Sequence, residues 1–379
     1  MSGKLTSPDH PDVSGSPGTL ALIGGRFEAD NDALFAALKT HCAGRIAILS
    51  MASGFPQEVG EETVEEFCAQ GIHAELIPLY FENRDTAAFD EQVISKLRSC
   101  GSVFFTGGDQ SRIVGTLIQN GQPTPALTCI RQLFEDGGLI SGSSAGAAVM
   151  SGPMLLSGTS LHAVSRGAGT GDEDFRLGRG LGFFHWGVVD QHFLQRGRIG
   201  RLLIAARECA EPLAFGVDEN SALIVRGDRA EVVGETGVLF IDMRRAQRDC
   251  GDALLRDVRV SYLDDGDAID LRRGKVIPAA DKQRTRVTRS SYRRPAPVRR
   301  NAFASYAIHD LMLRLVEADP AYYCSESASA FDAAFGRQVT LDVRRLPRRS
   351  RALRAVRDGE IRYSALNFSL DLRLSLIHI

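Results

Sequence analysis

The chain has 379 residues, 24% charged and 44% hydrophobic, with 45 Lys and Arg against 47 Asp and Glu and a formal net charge of -2. That balance excludes a uniformly basic nucleic-acid binder and an acidic disordered chain, and the length suffices for one large domain or two ordinary ones. No run of 18 apolar residues occurs, so a spanning helix is excluded and no membrane partner is expected.

Residues 1–18 are polar and rich in Ser, Pro and Gly, and are expected to form a flexible N-terminal segment lacking the apolar core of a signal peptide. From residue 19 two periodicities alternate. The apolar run 19–23, closed by Gly24 and Gly25, predicts a buried strand. Leu34, Ala37, Leu38 and His41 predict a helix over 30–42, and 45–50 predicts a second strand. A second helix carries Val64, Phe67 and Cys68 on one face and ends near Gly71. Residues 74–79, 89–97 and 102–106 repeat strand, helix, strand. Continuous apolar strands between helices predict an α/β fold. The expected form is a doubly wound, mostly parallel sheet with helices on both faces.

After about residue 220 the pattern changes. Residues 222–225 and 230–233 flank Gly227-Asp228 as a predicted hairpin, and 237–242 and 258–263 predict further strands. The expected division is an α/β catalytic domain over 19–271, a basic linker or loop over 272–300, and a C-terminal extension over 301–379. That extension has one evident helix, near 304–318. The stretch 272–300 holds eleven Lys or Arg and one acid, Asp281, leaving the remainder of the chain at -12. Tyr292 is the single aromatic among those arginines, so a base-stacking arm is disfavoured and no nucleic-acid partner is expected. The seven cysteines form no Cys-x-x-Cys pair, which predicts neither a zinc site nor a disulfide framework and suggests a reducing, cytoplasmic setting.

Ligands of doubly wound sheets bind beyond the carboxyl ends of the strands, so strand-to-helix turns are the first candidates. One is Gly107-Gly108-Asp109-Gln110, where glycine would let backbone N–H groups approach an anion. The sharper one is Gly142-Ser143-Ser144-Ala145-Gly146, between an apolar strand and a helix of small residues. This is a nucleophile elbow in its required context, with Ser144 at the centre and the Ala145 N–H able to face an oxyanion.

A serine needs a base. Of eight histidines, His10 and His378 lie near the ends, His309 is distant, and His41 and His73 belong to early packing segments. His162, His185 and His192 follow the elbow. His192, at the polar end of Val188-Val189-Asp190-Gln191, is the expected base, while His185 beside Trp186 suits a structural role. Asp218 and Glu219 end another apolar strand, and spacing does not choose between them. Arg196, Arg198 and Arg201 could fork onto substrate carboxylates, and the acidic run 172–174 could pair with a basic group. Phosphate-loop, dinucleotide and His-Glu-x-x-His patterns are missing from the sequence, so no cofactor and no metal are expected.

Together, Gly107-Gly108-Asp109-Gln110, Gly142-Ser143-Ser144-Ala145-Gly146-Ala147, Asp190-Gln191-His192-Phe193 with Arg196, Arg198 and Arg201, and Val217-Asp218-Glu219 resemble the cyanophycinase family in order and spacing. The resemblance spans roughly 19–265. It implies a serine peptidase related to aspartyl dipeptidases, on a sheet like that of class I glutamine amidotransferases. It also implies a substrate: cyanophycin, a poly-aspartate carrying arginine on its side-chain carboxylates, cut to β-aspartyl-arginine dipeptides. On this resemblance Ser144 is the nucleophile, His192 the base and Glu219 the orienting acid, with the N–H groups of Gly108 and Ala145 as oxyanion hole. Gln110, Asp190, Gln191, Arg196, Arg198 and Arg201 take the family's substrate-binding positions. The family more usually has Thr where Ser143 stands. The alternatives are a peptidase for short aspartyl or isoaspartyl peptides and a catalytically silent polymer-binding homologue; a homodimer is compatible with the sequence.

Overall fold

The computed structural model describes residues 18–171, 173–251, 253–284, 301–318, 324–357 and 359–376. All but Gly18 of the N-terminal segment, Asp172 of the acidic run, 285–300 of the basic stretch and the tail 377–379 lie outside the described residues.

Five parallel strands form the centre of a nine-stranded sheet, in the order Ala74–Leu76, Arg45–Leu49, Gly101–Phe105, Leu139–Ser143, Thr19–Ile23. Both faces are covered. Leu20 and Leu22 pack with Leu97, Ile113 and Leu127 from helices on one side, while Ala21 and Ile23 pack with Leu34, Phe35 and Phe67 on the other. This two-sided burial is why the strands read as unbroken apolar runs, and it makes the fold the expected flavodoxin-like α/β type. The helices are capped by their own sequence: Asn31, Asp90 and Asp109 accept N–H bonds from Leu34, Gln92 and Ser111. The strand expected over 74–79 ends at Leu76, two residues before Pro78, which has no N–H for a ladder.

Beyond Thr19–Ile23 the sheet turns antiparallel through Ser221–Arg226, Arg229–Gly234, Ala268–Asp270 and Lys275–Ile277. The hairpin expected at Gly227-Asp228 is present, with Arg226 opposite Arg229. Lys275–Ile277 is drawn from the start of the basic stretch and forms the sheet's edge.

A second sheet of twelve strands holds the additional strands. Val188–Asp190 and Leu213–Val217 are parallel neighbours within it, and Gly237–Asp242, Ala253–Asp264 and Glu360–Leu376 follow in antiparallel order. Glu360–Leu376 also pairs with Arg351–Arg357 and Arg337–Arg344, so the C-terminal extension is built into this sheet. The helices Ile199–Glu208 and Ala307–Glu317 supply Leu202, Leu203, Leu311 and Leu315 to its core.

The two sheets meet at the carboxyl ends of Thr19–Ile23 and Val188–Asp190, where His192 N–H donates to Gly24 O at 2.6 Å. Within the first sheet Gly24 N–H donates to Ser221 O at 3.0 Å, and Asn220, on the link that follows Leu213–Val217, donates its N–H to Gly25 O at 2.9 Å. The ends of Thr19–Ile23, Leu139–Ser143, Val188–Asp190 and Leu213–Val217 therefore converge on one point.

Candidate active site

Ser144 sits between the Leu139–Ser143 strand and the short helix Ala145–Ala148 with φ 55° and ψ -109°, a backbone state that non-glycine residues rarely adopt. Its N–H donates to Ile23 O at 3.0 Å, which ties the turn to the neighbouring strand. The turn closes this tightly because Gly146 has no side chain: a Cβ there would lie 2.3 Å from Phe105 O. The result lifts a half-buried hydroxyl off the end of the sheet.

Ser144 Oγ lies 2.9 Å from His192 Nε2, and His192 Nδ1 lies 2.7 Å from Glu219 Oε1. His192 follows Val188–Asp190 and Glu219 follows Leu213–Val217, so each comes from the carboxyl end of a strand. His192 itself has φ 45°, and its ring lies against Gly25. A Cβ on Gly25 would be 2.3 Å from the imidazole carbon between the ring nitrogens, so this position must be glycine. Gly25 is a part of the site that sequence reading missed, having marked it only as the end of a strand.

Burial lowers the His192 pKa below its ordinary 6.5, reinforced by the cations of Arg196 and Arg198 and opposed by the hydrogen bond to Glu219. The imidazole is therefore neutral at neutral pH, as a proton acceptor must be. The neighbouring acid is different in kind. Asp218 is fully buried, accepts the Leu194 N–H at 3.0 Å, and has its carboxyl pushed well above the usual range by burial. The structure thus separates the two acids that spacing left open: Glu219 faces the histidine and Asp218 faces the core.

The Gly107-Gly108 turn borders the elbow, since a Cβ on Gly107 would be 3.5 Å from Ser144 Cβ and 4.0 Å from its Oγ. Gly108 is exposed and Ala145 buried. The remaining candidates divide by exposure. Asp190 is 1% exposed and engaged from both sides of its carboxylate: Arg201 Nε donates to it at 2.7 Å and Arg201 Nη2 at 2.6 Å, with Arg198 Nη1 at 3.3 Å. Arg201 also donates to Gly158 O at 3.0 Å. Gln110 is buried with its amide on Leu155 O at 2.6 Å, and Gln191 is buried with an Oε1 that has no partner among the described residues. Arg196 is exposed. Arg198 is pushed down to about 9 by burial and by its neighbouring arginines, so it remains a cation at neutral pH.

The other histidines keep structural company. His185 stacks on Trp186 with ring centroids 4.8 Å apart, His162 Nδ1 lies 3.3 Å from Glu173 O, and His309 is surrounded by Tyr262, Tyr306 and Tyr363. Among the described residues, no three His, Cys, Asp or Glu side chains converge as a metal-ligating group.

A serine held at a strained strand-to-helix turn, with an imidazole and a carboxylate in line behind it, defines an α/β serine hydrolase in geometry. The comparisons with known proteins agree. The model of Peptidase family S51 matches residues 22–233. A cyanophycinase from Trichormus variabilis is 30% identical over 250 residues, covering 62% of this chain and 78% of that protein. One from Geminocystis herdmanii is 34% identical over 208 residues, covering 53% and 72%, and one from Synechococcus elongatus is 31% identical over 240, covering 61% and 71%. A crystal structure of a peptidase from an acI-B1 Actinobacterium aligns with a TM-score of 0.46 at 22% identity, covering 58% of this chain and 89% of that one. The chain belongs to peptidase family S51, and it is a serine-type peptidase similar to the cyanophycinases.

Proposed function

We propose that this peptidase hydrolyses cyanophycin to β-aspartyl-arginine dipeptides, with Ser144 as nucleophile, His192 as general base and Glu219 as the acid that orients it. The observation that carries the proposal is the hydrogen-bonded line Ser144–His192–Glu219 at the elbow of a chain in this family.

The chemistry is acyl transfer. His192 Nε2 takes the Ser144 proton as Oγ attacks an aspartyl carbonyl, and the carbonyl oxygen becomes an oxyanion held by the N–H groups of Gly108 and Ala145. The imidazolium, steadied by Glu219 across 2.7 Å, then protonates the leaving amine. Water, deprotonated by the same nitrogen, attacks the ester and frees Ser144. Arg196 and Arg198 are the cations best placed to hold a substrate carboxylate. Arg198 is partly desolvated and shares the single Asp190 carboxylate with Arg201, so its charge is only partly compensated and an incoming anion would improve its surroundings. Asp190 and Arg201 neutralise one another and act as the floor on which Arg198 rests. Gln191 joins that floor through its carbonyl, which accepts from Arg198 Nη1 at 2.5 Å.

Ser144→Ala removes one hydroxyl from a half-buried turn and leaves the packing intact. Turnover should fall by about 10⁶-fold with melting temperature close to the parent's. Dipeptide release measured beside circular dichroism tests both halves, and appreciable turnover by the variant would sink the assignment. Assaying short β-aspartyl dipeptides next to the polymer separates this reading from a peptidase for short peptides.

A further inference from the structure

The C-terminal extension reaches the neighbourhood of the site through residues 303–306. Ser305 Oγ donates to Gln195 O at 2.6 Å, Tyr306 N–H donates to Leu194 O at 2.8 Å, and Gln195 Nε2 donates to the Tyr306 hydroxyl at 3.2 Å. The other end of the Gln195 amide, Oε1, accepts the backbone N–H of Glu219 at 3.3 Å. One side chain, Gln195, thus joins Glu219, the residue behind the histidine, to Tyr306, 111 positions after Gln195 itself.

The local geometry shows that these contacts are specific. Tyr306 stands immediately before the Ala307–Glu317 helix with φ 60°, a left-handed state unusual for a tyrosine, and no side chain caps the helix. Ser305 and Tyr306 direct their polar groups across to Leu194 and Gln195 instead of onto their own helix. The loop on the other side is fitted to receive them, because a Cβ on Gly197 would lie 2.0 Å from Phe303 O. Phe303, Ser305 and Tyr306 fall outside residues 22–233, where the family model matches, while Leu194, Gln195, Gly197 and Glu219 fall within it.

We propose that Tyr306 is a positioning residue for the catalytic acid: its hydroxyl fixes the Gln195 amide, and Gln195 in turn fixes the backbone of Glu219 at the distance His192 requires. The proposal rests on Glu219 being the acid of the triad. It makes residues 303–306 a working part of the site and not only the entry to a packing helix. Tyr306 touches neither substrate nor reacting atoms. It acts through the orientation of one carboxylate.

The test compares full-length parent with Tyr306→Phe, Gln195→Leu and the double variant, with Ser305→Ala as a second way to loosen the same loop. Two readouts are needed. The first is kcat and KM on cyanophycin and on a β-aspartyl dipeptide; the second is the His192 titration midpoint by NMR of histidine-labelled protein, assigned with His192→Gln. Tyr306→Phe should lose about three- to tenfold in kcat, the scale of one hydrogen bond, with KM nearly unchanged. The midpoint should fall, because the hydrogen bond to Glu219 holds it up against burial and against the charges of Arg196 and Arg198. In the Gln195→Leu background the same substitution should cost nothing further. An unchanged kcat and midpoint in a folded Tyr306→Phe protein overturns the proposal, as does an equal loss with and without Gln195. Failure of the parent on both substrates would sink the proposed function instead, and the titration would still decide the role of Tyr306.

Discussion

Burial of His192 has a direct kinetic consequence. On the proposed mechanism the imidazole must be neutral to accept the Ser144 proton, and its pKa lies below the ordinary 6.5. Activity is therefore present above that lowered value and lost as pH falls through it, so the acidic limb of kcat/KM should have its midpoint below 6.5. A midpoint above that value would contradict the assignment of the base. Glu219→Gln removes the partner that raises the pKa, so it should move the limb further down while cutting kcat by about 10²- to 10⁴-fold. Gly25→Ala is expected to cost about 100-fold or more in kcat, since a Cβ 2.3 Å from the ring carbon must displace the histidine. A Gly25→Ala enzyme with parental kcat would show that the ring tolerates the shift. These residues were not equally legible. Ser144 announces itself because the strained turn dictates small neighbours at fixed offsets on either side. Gly25 does not, because the ring that forbids its side chain arrives from far along the chain. Asp218 and Glu219 are adjacent acids at a strand end, and only the three-dimensional turn decides which of them meets the imidazole.

The Ala307–Glu317 helix carries a different kind of histidine. His309 is pushed down to about 4 by burial among Tyr262, Tyr306 and Tyr363. Its folded pKa is lower than the unfolded one, so as pH drops from 6.5 towards 4 the unfolded chain takes up a proton that the native one refuses. Stability should therefore fall across that window, by up to about 3 kcal/mol from this group. His309→Phe should flatten the dependence, which urea unfolding at about pH 7 and about pH 5 would detect. An equally steep loss in the variant would assign it to other groups. The helix was visible in the sequence by its period; the strands after it were not. In Arg337–Arg344 every second residue is buried, Val339, Leu341 and Val343, yet the arginines at its ends mask a short run. Glu360–Leu376 is harder still. Its ladder with Ala253–Asp264 slips register three times and Asn367 has φ 58°, so no single alternation survives along it.

At the scale of the whole molecule, the parallel half of the fold was legible because most of its strands are buried on both faces and several of its helices carry their own N-caps. The second sheet was not, since its order is set by pairings between strands far apart in sequence, such as Ala253–Asp264 with Glu360–Leu376. That pairing makes the C-terminal extension structural. A chain ending at residue 300 would leave one edge of Ala253–Asp264 open and uncover Val258, Val260 and Tyr262, and it should aggregate or melt well below the parent. A soluble truncated protein with the parent's melting temperature would contradict this. Charge acts at the same scale. Outside the basic stretch the chain carries -12, which favours encounter with an arginine-rich polymer. The most direct test of the account incubates the purified protein with cyanophycin and follows β-aspartyl-arginine by mass spectrometry, with Ser144→Ala in parallel. The account predicts dipeptide from the parent and none from the variant. Equal release from both would contradict Ser144 as nucleophile, and no release from a folded parent would contradict cyanophycin as substrate.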